Sequence, residues 1–429
     1  MNVKTIVKKM LPSGLRYRVA NFYHLLVAIV ANIRYGFPAR GAQVIMVTGT
    51  NGKTTTAALI TRMLQHAGHK VGALTTAFYA FGDHLEPNTS NRTVDDIFRV
   101  QALLARMKKA GCEYLVIEVT SQALVQHRLW GVPVDVAVMT NLSQDHLDYH
   151  KTMDAYAAAK GKLFARRPRF TILNRDDTWF DYFAAFPVSN RMLSYGTSPE
   201  AECRIDDVHL HKNGSDVKLK VDDESDVEFT TKLPGKFNVY NAAAAIAVGY
   251  VLQLDLSLVA KGVEALEHVP GRLERVNAGQ TFDVIVDYAH TPDALQNLLE
   301  TLKHLTEDQL ILVFGATGDR DKTKRPEMGE IAVKFADHIV LTDEEPYDED
   351  PDAIRADIRK GIEKAGGADK TTEIADRREA VAKALKMARK GDTVAITGMG
   401  HEQFRVIKGE RLPWNDTQVV QELLTNKRS

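Results

Sequence analysis

The tightest constraint in this sequence is the apolar, β-branched run Gln43-Val44-Ile45-Met46-Val47-Thr48 leading into Gly49-Thr50-Asn51-Gly52-Lys53-Thr54-Thr55. The run reads as a buried strand. The turn after it opens directly into a helical pattern over Thr54 to Ala67, which Gly68 ends. That order points free backbone N–H groups and a helix N-terminus at an anion. Lys53 is placed to reach terminal phosphates, and the Thr54 hydroxyl to ligate magnesium. Val47 stands where the general phosphate loop carries its first glycine, so the loop is a variant form. A purely structural turn would explain Gly49 and Gly52 but not Lys53-Thr54-Thr55 at the start of the helix. Gly49, Thr50, Asn51, Gly52, Lys53, Thr54 and Thr55 are therefore expected to hold a magnesium-complexed nucleoside triphosphate.

Short β-branched runs continue to alternate with helical stretches. Strands are expected at 71–74, 114–118 and 134–139, with helices at 93–110 and 153–164, which implies a parallel sheet covered on both faces. Between 203 and 233, apolar residues interleave with polar ones and turn signals, the pattern of a small antiparallel insertion. Helices resume at 239–252 and 256–266, and Pro270-Gly271 reads as a boundary. Beyond it, strands at 282–286, 310–314, 338–341 and 393–396 alternate with helices in a Rossmann-like unit. That unit lacks a Gly-x-Gly-x-x-Gly turn after its first strand, so no dinucleotide cofactor is expected. The fold class is α/β: a central phosphate-loop doubly wound domain with an antiparallel insertion, plus a C-terminal Rossmann-like α/β domain.

At 429 residues the chain is too long for one ordinary core. Its formal net charge of -1 gives no basic field for nucleic acid, and its two cysteines, Cys112 and Cys203, form no metal-ligand spacing. They read as buried thiols of a reducing compartment, so a cytoplasmic monomer is expected. Met1 to Arg18 is basic and Phe22 to Val30 apolar, but the apolar run is too short to span a bilayer. A helix docked on the protein is the expectation, with peripheral membrane contact as the alternative.

Two further constellations sit where strands end. Glu118 closes the strand Tyr114 to Ile117; beside the phosphate loop in a doubly wound crevice it would complete a magnesium shell, and alone it would be a helix N-terminal charge. Asn141-Leu142-Ser143-Gln144-Asp145-His146-Leu147-Asp148-Tyr149-His150 follows the next strand and packs two histidines among acids. Lys160 then lies on an otherwise apolar helix, where a snorkelling side chain is the ordinary reading.

Thr48 to Thr56, Glu118-Val119-Thr120-Ser121, and Asn141 to His150 with Ala159-Lys160 together resemble the Mur ligase family, on the side of its tripeptide synthetases of peptidoglycan synthesis. The likeness runs on in order through Gly235 to Asn241, Pro270-Gly271-Arg272, Asp287 to Asp293, Gly318-Asp319-Arg320-Asp321 and Gly398-Met399-Gly400-His401-Glu402. It implies an ATP-dependent, ADP-forming ligase in which a muropeptide carboxylate becomes an acyl phosphate and an amino acid's amine displaces the phosphate. It also implies two magnesium ions, ligated by Thr54, Glu118, His146 and a carbamylated Lys160, with Lys53, Glu118, His146 and Lys160 as the catalytic set. Asn241 would contact adenine and Asp287 the ribose, with Arg272 and His290 beside the nucleotide. Three domains follow: a short helical segment at 1–41 where the family carries its UDP-binding domain, a central domain at 42–272 and a C-terminal domain at 273–429.

Three departures bear on the substrates. Only about forty residues precede the phosphate loop and they lack a βαβ pattern, so an acceptor without UDP is an open alternative. Asn88-Thr89-Ser90-Asn91 replaces the family's paired threonines and Gln122 a common histidine, leaving Thr89, Ser90, Ser121 and Arg128 as acceptor contacts. Glu344-Glu345-Pro346-Tyr347 replaces the Asp-Asn-Pro-Arg of diaminopimelate-adding enzymes. Losing that arginine removes a bidentate carboxylate partner, and two glutamates favour a distal ammonium, as in L-lysine or L-ornithine. An acidic solvated loop is the plain alternative. Arg320, Arg325, Glu344, Glu345, Gly398 and Glu402 are the amino-acid pocket implied. Rival readings are a folylpolyglutamate- or cyanophycin-synthetase-like ligase, and a non-catalytic subunit that only binds ATP.

Overall fold

The computed structural model describes residues 13–90, 92–222 and 225–425, with side chains from residue 19 onward. Asn91 and residues 1–12 of the basic stretch lie outside them. The first sheet starts with β1 (Gln43–Thr48), the hairpin strands β2 (Val71–Leu74), β3 (Phe78–Phe81) and β4 (His84–Pro87), then β5 (Tyr114–Glu118) and β6 (Val136–Met139). It continues through β7 (Phe170–Asn174), β8 (Arg191–Gly196), β9 (Cys203–His211), β10 (Gly214–Val221) and β11 (Ser225–Thr231). Its order is β11-β10-β9-β8-β7-β6-β1-β5-β2-β3-β4. The middle, from β2 to β9, is parallel, and antiparallel strands extend both ends.

Strand alternation divides the core. Ile45 and Val47 of β1 face a cluster with Ala57, Ile60 and Met63 of helix Lys53–His66 and with helix Lys236–Val251. Val44 and Met46 face the opposite cluster, with Leu103, Leu104 and Met107 of helix Ile97–Lys109 and Leu163 of helix Met153–Phe164. Both faces are covered, and β1 is buried from Val44 to Thr48, as a near-continuous apolar strand requires. Helix 97–109 starts four residues later than the sequence expectation because Asp96 caps it, accepting from the N–H groups of Phe98 and Arg99. The expected antiparallel segment is β9, β10 and β11, and it is joined to the main sheet because β9 pairs with β8.

The second sheet holds β12 (Glu274–Arg275), β13 (Asp283–Asp287), β14 (Leu310–Phe314), β15 (His338–Leu341), β16 (Thr371–Glu373) and β17 (Thr393–Thr397), in the order β12-β13-β17-β14-β15-β16. Helices Pro292–Leu305, Lys324–Phe335 and Pro351–Lys364 cover one face, and Arg377–Met387 with Asp416–Thr425 the other. Thr291 caps the first of these helices and Pro292 occupies its first turn. A small hairpin, β18 (Phe404–Ile407) with β19 (Glu410–Pro413), follows β17.

The expected N-terminal helix runs over Ser13–Tyr35. Ala28 and Ala31 pack with Ile97, and Asn32 donates to the Ala28 and Trp130 carbonyls at 2.9 and 2.8 Å. Among the described residues no helix is long and apolar enough to cross a membrane.

Candidate active site

The strand order reverses at β1, between β5 and β6, and the crevice beyond their carboxyl ends is where an open α/β sheet gathers ligands. Three segments meet there: the loop after β1, Glu118 at the end of β5, and the Thr140–His150 segment after β6. The loop is braced from below. Thr50 N–H donates to the Asn141 carbonyl at 2.8 Å, and Asn51 N–H to Asn141 Oδ1 at 2.9 Å. Gly49 has φ 151° and a Cβ there would stand 1.8 Å from Thr140 Oγ1, so only glycine lets the two segments touch. Helix Lys53–His66 begins behind Gly52 with no side-chain cap and no acid in its first turn, leaving its N–H groups to an anion.

Lys53 Nζ folds back onto the Thr50 carbonyl at 2.7 Å. Burial lowers its pKa, opposed by Glu118. Thr54 Oγ1 donates to Glu118 Oε2 at 3.0 Å, and that oxygen also accepts from Thr76 N–H at 2.8 Å. Lys160 is 1% exposed; its Nζ donates to the Gly49 carbonyl at 2.6 Å and lies 4.6 Å from the Tyr156 ring centroid. Burial first, then Lys53, pushes its pKa well below the usual lysine range. An inward lysine is thus the finding, and a snorkelling one is excluded.

His146 caps the short helix Leu147–His150 in the left-handed region, φ 56°, which turns it toward this group. Burial lowers its pKa. Ser121 Oγ meets His150 Nε2 at 2.8 Å, and His150 stacks on Tyr156. Burial pushes the His150 pKa down to about 4. Among the described residues no three His, Cys, Asp or Glu side chains form a ready metal cage. Thr54 and Glu118 instead bring a hydroxyl and a carboxylate oxygen together, donor types that suit magnesium.

Arg272, Asp287, Asn241, Asn51, Gly52 and Thr55 line one cavity of about 340 Å³ between the two sheets. Arg272 Nη2 donates to Thr54 Oγ1 at 3.1 Å, and Asn51 Nδ2 to Asp293 Oδ2 at 2.5 Å, so both units contribute to the loop's surroundings. The Asp287 carboxylate already accepts from the N–H groups of Leu273 and Ala289, at 2.6 and 2.7 Å, and burial raises its pKa. His290 accepts or donates at the Tyr288 carbonyl, 2.8 Å away, and burial takes its pKa to about 3.

Sequence reasoning passed over Lys324 and placed Asp145 in the histidine–acid cluster without giving it a role of its own. Lys324, 3% exposed, lies 3.9 Å from Asp145 Oδ1 across the cleft. Burial works to raise the Asp145 pKa, but His146, Lys324 and His290 outweigh it and hold the carboxyl below its usual range. Lys324 comes three residues after Asp321 of Gly318-Asp319-Arg320-Asp321, and its place opening a helix was the available signal.

Behind Lys324 stands an acidic pocket. Glu344 and Glu402 are 3 and 6% exposed, and each keeps one buried oxygen, Oε2, without a hydrogen-bond partner. Thr317 donates to the other Glu344 oxygen. Burial raises the Glu344 pKa, and burial plus Glu345 pushes Glu402 up to about 8. Gly398, φ 105°, earns its place sterically: a Cβ would sit 2.1 Å from Glu344 Oε2. Glu345 Oε1 accepts from Val406 N–H at 2.9 Å, and Arg320 lies over the Tyr347 ring, 5.0 Å from its centroid. The acidic run is therefore no solvated loop. Arg325 is not brought into the pocket: fully buried, it is engaged by Glu349 at 2.8 Å and Asp357 at 3.2 Å.

The acceptor candidates divide. Ser121 joins the histidine group, whereas Ser90 Oγ is bonded within its own turn to Asn88 Oδ1 at 2.7 Å, and Thr89 is exposed. Arg128 donates to the Val94 carbonyl at 2.5 Å and to Gln126 Oε1 at 3.1 and 2.7 Å, next to that turn.

Residues 47–249 match the Mur ligase middle domain, and residues 271–400 the Mur ligase glutamate ligase domain. The chain is 40% identical over 406 residues to the UDP-N-acetylmuramoyl-L-alanyl-D-glutamate--2,6-diaminopimelate ligase of Syntrophomonas wolfei, covering 94% of this chain and 82% of that protein. It is 41% identical to the protein of the same name from Aquifex aeolicus, over 91% of this chain and 79% of the relative. A solved structure of such a ligase aligns at a TM-score of 0.62 and 34% identity, over 91% of this chain and 80% of the other. Mycobacterium tuberculosis folylpolyglutamate synthase shares the fold at a TM-score of 0.72 and 20% identity, over 87% and 92%. The chain belongs to the Mur ligase family.

Proposed function

We propose that this protein is an ATP-dependent, ADP-forming ligase of peptidoglycan precursor synthesis, joining a diamino acid to the terminal carboxylate of a muramoyl-dipeptide. One observation carries the reading: the phosphate loop with Glu118, His146 and Lys160 lies to one side of Lys324, and the buried Glu344 and Glu402, each with one oxygen lacking a hydrogen-bond partner, to the other. A carboxylate oxygen attacks the γ-phosphorus, the bond to the bridging oxygen breaks, and ADP leaves. The neutral amine then attacks the acyl phosphate carbon, inorganic phosphate departs, and the amine's proton is lost. Lys53 and the free N–H groups of the loop neutralise charge on the phosphates, and Lys324 stands where the acyl phosphate and amine would meet. Thr54 and Glu118 would hold one magnesium ion, and His146 with a carbamylated Lys160 a second. Bound magnesium supplies charge neutralisation at the transferred phosphoryl group. The inward Lys160, beside Tyr156 and the Gly49 carbonyl, supports the carbamate reading.

Asn241, Arg272, Asp287 and His290 would surround the nucleotide, and Ser121 and Arg128, with Thr89 and Ser90, the acceptor. The relatives' names support a UDP-N-acetylmuramoyl-L-alanyl-D-glutamate acceptor. Division at 41/42 and 272/273, a cytoplasmic setting and a monomer complete the reading.

For the incoming amine, Glu344 Oε2 and Glu402 Oε2 favour a distal ammonium, hence L-lysine or L-ornithine. A second reading, 2,6-diaminopimelate, is supported by the relatives' names and by Arg320, which is exposed at the pocket and able to take a distal carboxylate. Turnover with UDP-linked and UDP-free dipeptide acceptors against the three amino acids decides both points. Preference for diaminopimelate would sink the first reading.

A further inference from the structure

The helix Ser13–Tyr35 is docked the wrong way round for a helix whose purpose is to finish a core. Its buried side is built of small residues, Ala28 and Ala31, with Asn32 pinned to the Trp130 carbonyl. Val27 packs beside them, but six large apolar residues face outward: Val19, Phe22, Tyr23, Leu26, Val30 and Ile33 are 47, 62, 62, 46, 56 and 67% exposed. Their spacing, i, i+3, i+4, i+7, i+11 and i+14, places them along one stripe of the helix. Of the 13 exposed large apolar residues among the described residues, these six form this one stripe. A continuous apolar ridge on a water-facing helix marks a contact surface.

Charge identifies what covers it. The first 40 residues contain seven of the chain's 55 Lys and Arg and none of its 56 Asp and Glu, and the first acid is Asp83. The remainder therefore carries eight more acids than bases, so in sequence the positive charge of this near-neutral protein is concentrated in the segment that holds the ridge. An apolar ridge carried by a basic, acid-free stretch of sequence matches an anionic bilayer, where apolar side chains enter the headgroup boundary and each cation adds attraction. No described helix spans a membrane, so the contact is interfacial. We propose that the helix Ser13–Tyr35 seats this ligase on an anionic lipid bilayer through Val19, Phe22, Tyr23, Leu26, Val30 and Ile33.

The test is flotation of the full chain with vesicles of phosphatidylcholine alone or with about one third phosphatidylglycerol. Co-flotation with the anionic vesicles only, weakened by salt, is expected. The triple variant Phe22→Ser, Leu26→Ser, Ile33→Ser is expected to partition at least about tenfold less while keeping its nucleotide affinity. A Val30→Cys variant bearing a polarity-sensitive dye reports insertion directly, as a blue shift on adding anionic vesicles. Absence of flotation, equal flotation of the triple variant, or a dimer that the triple variant dissociates without any vesicle binding would overturn the proposal; the last would make a second copy the occupant.

Discussion

At the scale of residues, the site is organised by groups that burial leaves in unusual states. Lys160 has no acid against it in hydrogen-bond contact, only the Gly49 carbonyl and the face of Tyr156. If its role is to become an anion beside the phosphates, Lys160→Ala lowers ATP turnover by at least about 100-fold, and added short carboxylates restore part of it. Full activity in that variant excludes the carbamate. Glu402 gives a pH prediction. Its carboxyl is raised from 4.5 to about 8, so the folded protein holds the proton more tightly than the unfolded chain. The resulting stability is complete below about pH 4.5 and is lost as pH rises toward 8, with Glu344 and Glu345 acting in the same direction. Thermal melts of the ligand-free protein should fall across that window, and Glu402→Gln should flatten the slope. An ammonium in the pocket opposes the shift, so saturating amino acid should also flatten it. Lys53, Glu118 and His146 were legible beforehand because each lies at or after the end of a strand, whereas the inward Lys160 was implied only by the family resemblance, its apolar helix alone suggesting a snorkelling side chain. The state of Arg325 was not legible, since its partners Glu349 and Asp357 are 24 and 32 residues away.

At the scale of elements, period and punctuation located the strands that are buried on both faces, such as β1, β5 and β14. They missed β3, β4, β7 and β8, and in the second sheet and its hairpin β12, β16, β18 and β19. Phe170–Asn174 follows the cationic stretch Arg166-Arg167-Pro168-Arg169, and Arg191–Gly196 carries polar residues whose bonds lie elsewhere: Arg191 with Glu202 and Asp222, Ser194 with Glu202. Their burial is created by neighbours distant in sequence, which periodicity does not report. The C-terminal helix Asp416–Thr425 is held the same way. Asp416 and Arg377 are both fully buried and paired at 2.7 Å, joining this helix to Arg377–Met387. Asp416→Ala leaves the guanidinium buried without its partner and should cost about 3–5 kcal/mol in denaturant unfolding. At the phosphate loop, Gly49→Ala drives a Cβ into Thr140 and should weaken ATP binding at least tenfold, at roughly unchanged helix content by circular dichroism.

At the scale of the molecule, two sheets contribute to one cleft. Arg272 to Thr54, Asn51 to Asp293 and Lys324 toward Asp145 are among the polar links across it. Because the links lie at the nucleotide's position, ATP should tighten the arrangement, and the 269–273 connection should become more resistant to proteolysis when ATP is bound. Arg272→Ala should lose about tenfold in ATP affinity and most of that protection. The central claim is that this cleft makes an amide bond through an acyl phosphate. The most direct test is phosphate release with ATP, UDP-N-acetylmuramoyl-L-alanyl-D-glutamate and a diamino acid, each omitted in turn, with the product mass measured. Release that needs both acceptor and amino acid, with one amide formed per phosphate, is the result expected. Phosphate release indifferent to either substrate, or no release with any acceptor, would contradict it.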